Sequence, residues 1–212
     1  MKEYKKAREY YTKALDITEL IYGEYHAETA NLCFKVGDLY DFYKEYAKAL
    51  DYYSKCLKIR KAIYGENHLE TAAAYVYVGH IHTDKRECKK ALEYFSKALE
   101  IRTSINGYYH AETAFCYNWI ANVYYYQKDY RNSWDCHARC LDIRIKIFGS
   151  NPREEFVTCY YNFGRISQDL KDYPKALENY HKALEINKYL FGDDHSMSIA
   201  IREELNAINK AK

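Results

Sequence analysis

The chain contains 212 residues, of which 48% are hydrophobic, a usual share for a folded protein. Its 32 basic and 30 acidic residues give a formal net charge of +2 and are interspersed, without a block of one sign. This distribution gives no electrostatic basis for binding nucleic acid or anionic lipid, so we expect neither partner. No apolar run approaches the roughly 18 residues of a membrane span, and no leader sequence is evident, so we also expect no signal peptide and no membrane insertion.

Seven cysteines are spread over the chain at positions 33, 56, 88, 116, 136, 140 and 159. Their number is odd and no Cys-x-x-Cys pair occurs, which favours reduced thiols over a disulfide framework. We therefore expect a cytoplasmic protein.

A segment of the type Tyr-Gly-x-x-His-x-x-Thr-Ala recurs along the chain, with degraded copies towards the end. Its first four glycines are 42 residues apart and the last step is 43 residues. A fixed period in this range predicts stacked supersecondary units that bury their hydrophobic faces against one another. The glycines are Gly23, Gly65, Gly107, Gly149 and Gly192.

Each period contains two helical patterns separated by a short turn. In one period a hydrophobic stripe recurs at i, i+3, i+4 and i+7, and a second stripe begins at Tyr46, after the pair Lys44-Glu45. We interpret Gly65 as the C-cap glycine of the second helix, and Asn67 with Glu70 as the capping box that opens the next helix. The first stripe consists of Cys33, Val36, Gly37 and Tyr40.

These patterns predict one array over residues 1–212, an all-α fold of about ten helices. Residues 1–22 match only the second helix of a pair, so Tyr4, Ala7 and Tyr11 lack a preceding partner helix. We expect the chain to be excised from a longer protein or to self-associate there. Residues 195–212 form a capping helix. The four full repeats are 26–64, 68–106, 110–148 and 152–191.

The fourth repeat departs from the pattern. Pro152-Arg153-Glu154-Glu155-Phe156 replaces His-Ala-Glu-Thr-Ala, and one residue is inserted before Cys159. Proline is tolerated in the first turn of a helix, which favours a shifted helix start, with a functional kink as the alternative.

The repeats resemble the tetratricopeptide repeat, and their 42-residue form resembles the kinesin light chain type. This resemblance implies a right-handed α-solenoid, or superhelix, of antiparallel helix pairs that serves as a protein–protein interaction scaffold. The pattern reads Cys33, Val36-Gly37, Tyr40, Ala49, Tyr53, Cys56; Tyr75, Val78-Gly79, His82, Ala91, Phe95, Ala98; Tyr117, Ile120-Ala121, Tyr124, Ser133, His137, Cys140; and Tyr160, Phe163-Gly164, Ser167, Ala176, Tyr180, Ala183.

We expect no enzyme activity, no cofactor and no metal site. Phosphate-binding glycine loops, a nucleophile elbow and the His-Glu-x-x-His motif are missing from the sequence. Cys136, His137 and Cys140 have ligand-like spacing, but two of them occupy core positions of the repeat pattern. The linker histidines lie one per repeat, too far apart to share one ion, so we expect structural roles for them. They are His26, His68, His110 and His195.

A second stripe on each first helix lies roughly 130° from the core stripe and is expected to line a concave groove. Its aromatic, amide and charged side chains suit an extended peptide, because amides pair with its backbone while rings hold its side chains. The predicted groove residues are Asn31, Phe34, Asp38, Val76, His80, Phe115, Asn118, Asn122, Tyr125, Tyr161, Arg165 and Gln168.

The family resemblance implies paired asparagines in the first helices that hold cargo peptides. Only Asn118 and Asn162 carry that residue type at the matching positions. We expect Asn118, Asn122 and Arg165 to act as polar anchors, with Phe34, Phe115 and Tyr161 as apolar ones.

The predicted function is capture of a peptide or partner segment in the groove. Two alternatives are a regulatory or sensor segment of a larger signalling protein, and a structural array that self-associates through its N-terminal helix.

Overall fold

The computed structural model describes the backbone of Lys2–Ala211 and the side chains in that range apart from residues 2, 3, 5 and 211. This part of the chain contains ten α-helices and no β-strand, which confirms the predicted all-α fold. Met1 and Lys212, at the ends of the predicted first and last helices, lie outside the described residues. The helices are α1 (Lys2–Tyr22), α2 (Ala27–Phe42), α3 (Tyr46–Tyr64), α4 (Leu69–Asp84), α5 (Cys88–Asn106), α6 (Ala111–Tyr126), α7 (Tyr130–Phe148), α8 (Glu154–Asp169), α9 (Tyr173–Phe191) and α10 (Ser196–Ala211).

The helices fall into two alternating sets. The first helices of the pairs, α2, α4, α6, α8 and α10, have 16 residues each. The second helices α3, α5, α7 and α9 have 19 residues each, and α1 corresponds to them in pattern. The chain groups into two compact units, Met1–Ile105 and Asn106–Lys212. In the first unit α2 packs against α1 and α3, and in the second unit α8 packs against α7 and α9.

The turn inside each helix pair contains a residue with positive φ that is not glycine. In the first pair the Lys44 N–H donates to the Asp41 carbonyl at 2.7 Å and the Glu45 N–H donates to the Tyr40 carbonyl at 2.9 Å. This pair of bonds is a Schellman motif, whose left-handed position is usually glycine. The residues in that position are Lys44, Arg86, Lys128 and Lys171, with φ between 60° and 61°.

The linker between pairs uses a glycine and a histidine. Gly65 is the C-cap of α3, which confirms the prediction, and its φ of 85° with ψ of 174° is a region essentially restricted to glycine. The predicted cap at Asn67 is wrong. The His68 carbonyl accepts the first helical bond, from Ala72, and the His68 Nδ1 accepts from the Glu70 N–H at 3.1 Å. The imidazole therefore occupies the capping position, and His26 and His110 cap their helices in the same way.

Small side chains let the two helices of a pair approach closely. Ala49, Cys56 and Ile59 are fully buried, and Tyr53 lies among them with 2% of its surface exposed. The Tyr53 ring faces Gly37, where a side chain would have no room. Two further pairs repeat this arrangement, Gly79 with Phe95 and Gly164 with Tyr180.

The irregular fourth repeat keeps its helix length. α8 begins at Glu154, one residue later than the spacing from α2, α4 and α6 predicts. Its N-cap, Arg153, makes no side-chain capping bond, and its guanidinium lies 4.4 Å from the centroid of the Phe148 ring. The inserted residue is therefore taken up in the linker, which confirms the predicted shift of the helix start.

Helix α1 exposes side chains that other second helices bury. Ile17 is 56% exposed, whereas the equivalent Ile59 and Ile143 are fully buried. Tyr4 does have contacts: its ring centroid lies 3.8 Å from that of Tyr43, and its hydroxyl donates to Glu45 at 2.5 Å. The open part of α1 is therefore its second half.

Candidate functional site

In the first unit the predicted groove residues lie on α2 and α4, and two of them serve packing. The Asn31 Oδ1 accepts from the Arg60 guanidinium at 3.4 Å, and Arg60 also donates to the Glu70 carbonyl. The Phe34 ring centroid lies 4.4 Å from that of Tyr77. Asp38 is exposed and Val76 is half-buried. On this face of the first unit, fewer side chains are therefore free to contact a peptide than the sequence predicts.

His80, the fifth predicted residue of this unit, lies between two carboxylates. Its Nδ1 is 3.6 Å from Asp41 Oδ2 and 3.7 Å from Asp84 Oδ2. Burial raises the pKa of the Asp41 carboxyl, and the neighbouring charges of Asp84 and Asp38 act in the same direction, while His80 opposes them. These ligand types suit a zinc ion, and a protonated imidazole would form ion pairs with them. Among the residues whose side chains the structure describes, no other three potential ligands come this close together.

In the second unit the predicted residues Tyr125 and Arg165 are in contact. The Arg165 guanidinium lies 4.3 Å from the centroid of the Tyr125 ring, and the Tyr125 hydroxyl donates to Asp169 at 2.5 Å. Burial, followed by the hydrogen bond to Asp169, raises the pKa of Tyr125 to about 12. The hydroxyl therefore stays protonated at neutral pH, and it joins α6 to α8.

A second set of hydrogen bonds joins α9, α8 and α10. The Tyr180 hydroxyl donates to Gln168 Oε1 at 2.7 Å, and Gln168 Nε2 donates to Glu204 Oε2 at 3.2 Å. Together with Tyr125, Arg165 and Asp169, these residues line an open cavity of about 280 Å³. The structure thus brings three predicted residues, Tyr125, Arg165 and Gln168, to one place, which we call the Arg165 site.

The other predicted residues of this unit differ in accessibility. Phe115 is 49% exposed. Asn122 is half-buried. The Tyr161 ring centroid lies 5.6 Å from that of Tyr180, beside the Arg165 site. Asn118 is half-buried, and its Oδ1 is buried without a hydrogen-bond partner in the protein. Asn162, the second asparagine implied by the family resemblance, is 8% exposed and belongs to the core.

The two units place equivalent residues at equivalent junctions between first helices. Asp41, His80 and Asp84 in the first unit correspond by repeat spacing to Tyr125, Arg165 and Asp169 in the second. One junction therefore combines an imidazole with two carboxylates, whereas the other combines a guanidinium with a phenol and one carboxylate. The two units thus present different chemistry at the same position of the repeat.

Sequence reasoning missed Asp169, Tyr180 and Glu204. Tyr180 belongs to the repeat pattern, and Glu204 lies on the predicted capping helix. The repeat period could have indicated Asp169, because Asp169 is the equivalent of Asp84 and both lie beside the predicted stripe.

The histidines and cysteines considered as ligands have other surroundings. The linker histidines His26, His68 and His110 accept helix N-terminal amides. Burial lowers the pKa of His137 to about 3, with the charges of Arg144 and Arg165 as further causes. The sulfurs of Cys140 and Cys159 lie 3.9 Å apart, and all seven cysteines are free thiols.

Across the described residues, no helix combines the length and the apolar character that crossing a bilayer requires.

Family models described as tetratricopeptide repeat match residues 1–62, 43–104, 70–146 and 156–196. No curated protein sequence matches the chain. Among solved structures, BtubC (BKLC) from P. vanneervenii is 23% identical with a TM-score of 0.78, over 90% of this chain and 75% of that one.

Two further structures share the fold. A kinesin light chain-type protein of Podosopora anserina with nearly identical TPR-like repeats is 12% identical with a TM-score of 0.76, over 88% of each chain. The apo form of RapI is 23% identical with a TM-score of 0.77, over 94% of this chain and 53% of RapI. The family matches span most of the sequence. The chain therefore belongs to the tetratricopeptide repeat family.

Proposed function

We propose that this protein binds an extended segment of a partner protein at the Arg165 site of its second unit. Repeat arrays of this family generally mediate protein–protein interaction and are generally not enzymes. The observation that carries the proposal is the open polar cavity of about 280 Å³ between α6, α8 and α10, in which three residues of the predicted stripe meet.

The site offers both kinds of partner that a peptide backbone requires. Each peptide unit has one N–H donor and one carbonyl acceptor. Arg165 only donates, the carboxylates of Asp169 and Glu204 only accept, and the Gln168 amide does both. Across α8 and α10 an extended backbone would therefore meet donors and acceptors in turn. With two carboxylates beside one guanidinium, the site favours a segment that also carries a lysine or arginine.

Apolar anchors flank these polar groups. Phe115 is 49% exposed on α6, and Tyr161 lies on α8 with its ring near Tyr180. Burying such rings supplies affinity, while the polar groups fix the direction and register of the segment. Asn122 is half-buried on the stripe that joins Phe115 to Tyr125. We expect the segment to run along this stripe.

Selection of random peptides against the whole chain tests this proposal. Peptides that bind the wild type are expected to bind a variant with Arg165→Ala and Gln168→Ala at least about tenfold more weakly by isothermal titration calorimetry. Arg153→Ala is the matched control, because Arg153 is an exposed arginine in the linker before α8. Equal affinity for the wild type and a folded Arg165→Ala/Gln168→Ala variant would refute the proposal.

A cytoplasmic location is part of the proposal. All seven cysteines are free thiols, and a reducing compartment maintains this state. Fractionation of cells that produce the protein checks it, and recovery from a membrane or secreted fraction would contradict it.

Self-association through α1 is a second candidate function. Tyr10, Ile17 and Ile21 are 72%, 56% and 64% exposed, and they follow one face of the helix at i, i+7 and i+11. A second copy that covered this stripe would remove its apolar surface from water. Sedimentation of the protein over a range of concentrations tests this candidate.

A further inference from the structure

The second unit contains a separate cavity of about 310 Å³ between the start of α7 and the turn from α8 to α9. Tyr130, Trp134, Ile166, Ser167, Asp172 and Lys175 are among its lining residues. Ser167 is two residues from Arg165 on α8, which places it roughly 200° further round the helix. The cavity is therefore on a different side of α8 from the Arg165 site.

This cavity arises from one change in the repeat. Ser167 occupies the position that Tyr40, His82 and Tyr124 hold in α2, α4 and α6. The backbone confirms the equivalence, because each of these four carbonyls accepts the same turn N–H at 2.8 to 2.9 Å. Helices α2, α4 and α6 thus place an aromatic ring where α8 places a hydroxymethyl group.

One neighbour of the missing ring, a lysine, is retained, whereas Asn179 stands where Tyr52 stacks on Tyr40 in the first pair. In the first pair Lys48 Nζ lies 5.2 Å from the centroid of the Tyr40 ring. Lys175 is the equivalent of Lys48, and its Nζ lies 4.1 Å from the centroid of Trp134 instead. Trp134 stands where α3, α5 and α9 have leucine, so it adds an aromatic wall to the space.

The polar atom at the base of this space lacks a partner. Ser167 is 2% exposed, and its Oγ has no hydrogen-bond partner in the protein. A buried hydroxyl without a partner is unfavourable, and a ligand that brought a hydrogen-bonding group to it would remove this cost. An aromatic wall, an aliphatic wall at Ile166 and one buried hydroxyl together complement a ring that carries a single polar group.

We propose that this cavity binds a phenol ring, supplied by a tyrosine side chain of a partner protein. The ring would lie against Trp134 and Ile166, and its hydroxyl would pair with Ser167 Oγ. The other repeats show that a tyrosine or histidine ring carried by a polypeptide fits this position. The cavity volume of about 310 Å³ accommodates one such ring.

Titration of the whole chain with p-cresol, the side-chain analogue of tyrosine, tests the proposal by NMR. The indole N–H signal of Trp134 is expected to shift saturably, while that of Trp119, the second tryptophan, serves as an internal control. A Trp134 signal that does not move, or moves only as much as that of Trp119, would overturn the proposal.

Substitutions of Ser167 locate the ligand. Ser167→Tyr fills the cavity as in α2 and is expected to abolish the saturable shift, with Ser167→His, the residue of α4, as a replacement if the first variant does not fold. Ser167→Ala keeps the space, so it should bind p-cresol and toluene alike, whereas the wild type prefers p-cresol by about fivefold. Undiminished p-cresol binding to folded Ser167→Tyr or Ser167→His would overturn the proposal.

A last comparison identifies the source of the ring. A short glycine-flanked tyrosine peptide is expected to produce the same Trp134 shift as p-cresol, and the matching phenylalanine peptide a weaker one. Binding of p-cresol without binding of the tyrosine peptide would refute the partner tyrosine and indicate a free phenolic molecule. The Arg165 site is untouched by these variants, so this outcome is independent of the proposed function.

Discussion

The Tyr53 ring lies 2.7 Å from the position that a Cβ on Gly37 would occupy. The same relationship holds for Gly79 with Phe95, at 2.9 Å, and for Gly164 with Tyr180 at 2.6 Å. In the third repeat both partners change together: Ala121 replaces the glycine and His137 replaces the larger ring. Glycine on the first helix thus faces a large ring on the second helix, and alanine faces a smaller one.

This exchange predicts a coupling between residues 121 and 137. His137→Phe alone should be destabilised, because the Phe95 ring of the second repeat tolerates only glycine opposite it. Adding Ala121→Gly should restore stability, with a coupling energy of about 1–2 kcal/mol. Urea unfolding of the two single variants and the double variant measures it. Additive effects of the two substitutions would contradict the account.

A complementary substitution tests the same contact in the fourth repeat. Gly164→Ala gains helix propensity, yet its Cβ would lie 2.6 Å from the Tyr180 ring. We expect a net loss of roughly 1–2 kcal/mol of unfolding free energy, because overpacking outweighs the gain from alanine. Calorimetry checks the sign, and a stabilised Gly164→Ala variant would disprove the steric reason for this glycine.

Burial of His137 predicts a dependence of stability on pH. Burial lowers its pKa from the usual 6.5 to about 3. Between these values the unfolded chain binds a proton at this residue and the folded chain does not, so stability falls as pH falls. The Ala121→Gly/His137→Phe variant lacks this contribution, and its stability relative to wild type should rise by about 2 kcal/mol from pH 6.5 to pH 5. A constant difference across this range would show that His137 is protonated in the folded state.

The positive φ of Lys128 predicts a stabilising substitution. A residue with a Cβ is strained at φ 61°, and glycine is not. After allowance for the greater freedom of glycine in the unfolded chain, Lys128→Gly should stabilise the protein by about 0.5–1 kcal/mol. Lys128→Ala is the matched control, because it removes the same side chain but keeps the Cβ. Equal effects of the two substitutions on the melting temperature would rule out backbone strain as the cause.

The exposed stripe of α1 predicts concentration-dependent association. Sedimentation velocity should show a larger species at high concentration for the wild type and a monomer for Ile17→Lys/Ile21→Lys, because charges would replace the apolar contact. Tyr189→Lys is the control, since Tyr189 is a 76% exposed ring on α9. A monomeric wild type at every concentration would eliminate this interface. Tyr4, which lacks a preceding partner helix in the sequence pattern, is unsuitable for this test because its hydroxyl donates to Glu45.

The sequence was sufficient for the helices and for the positions of the turns between them, but not for the backbone conformation of those turns. The sequence was insufficient where a residue takes a capping role or a backbone conformation that its type rarely adopts. Asn67 is the more common cap type, yet His68 holds the cap. Nothing in lysine or arginine indicates a left-handed residue, so the turns at Lys44 and Lys128 could not be predicted from residue type.

The candidate site was predictable in part for a similar reason. The 3.6-residue period places Tyr125 on the predicted stripe of α6, and Arg165 and Gln168 on that of α8. It does not state how neighbouring helices are offset along their axes, and that offset brings Glu204 and Asp169 to the site. It also does not show which stripe residues the fold itself uses, such as Phe34 against Tyr77.

The most direct test of the proposed function is NMR observation of the Gln168 side-chain amide during titration with a selected peptide. Gln168 lies in the Arg165 site, whereas Asn132 presents an exposed amide on the second helix α7. The account predicts a saturable shift of the Gln168 amide and an unmoved Asn132 amide. Binding that shifts the Asn132 amide and leaves Gln168 unchanged would contradict the account and place the partner on the second helices.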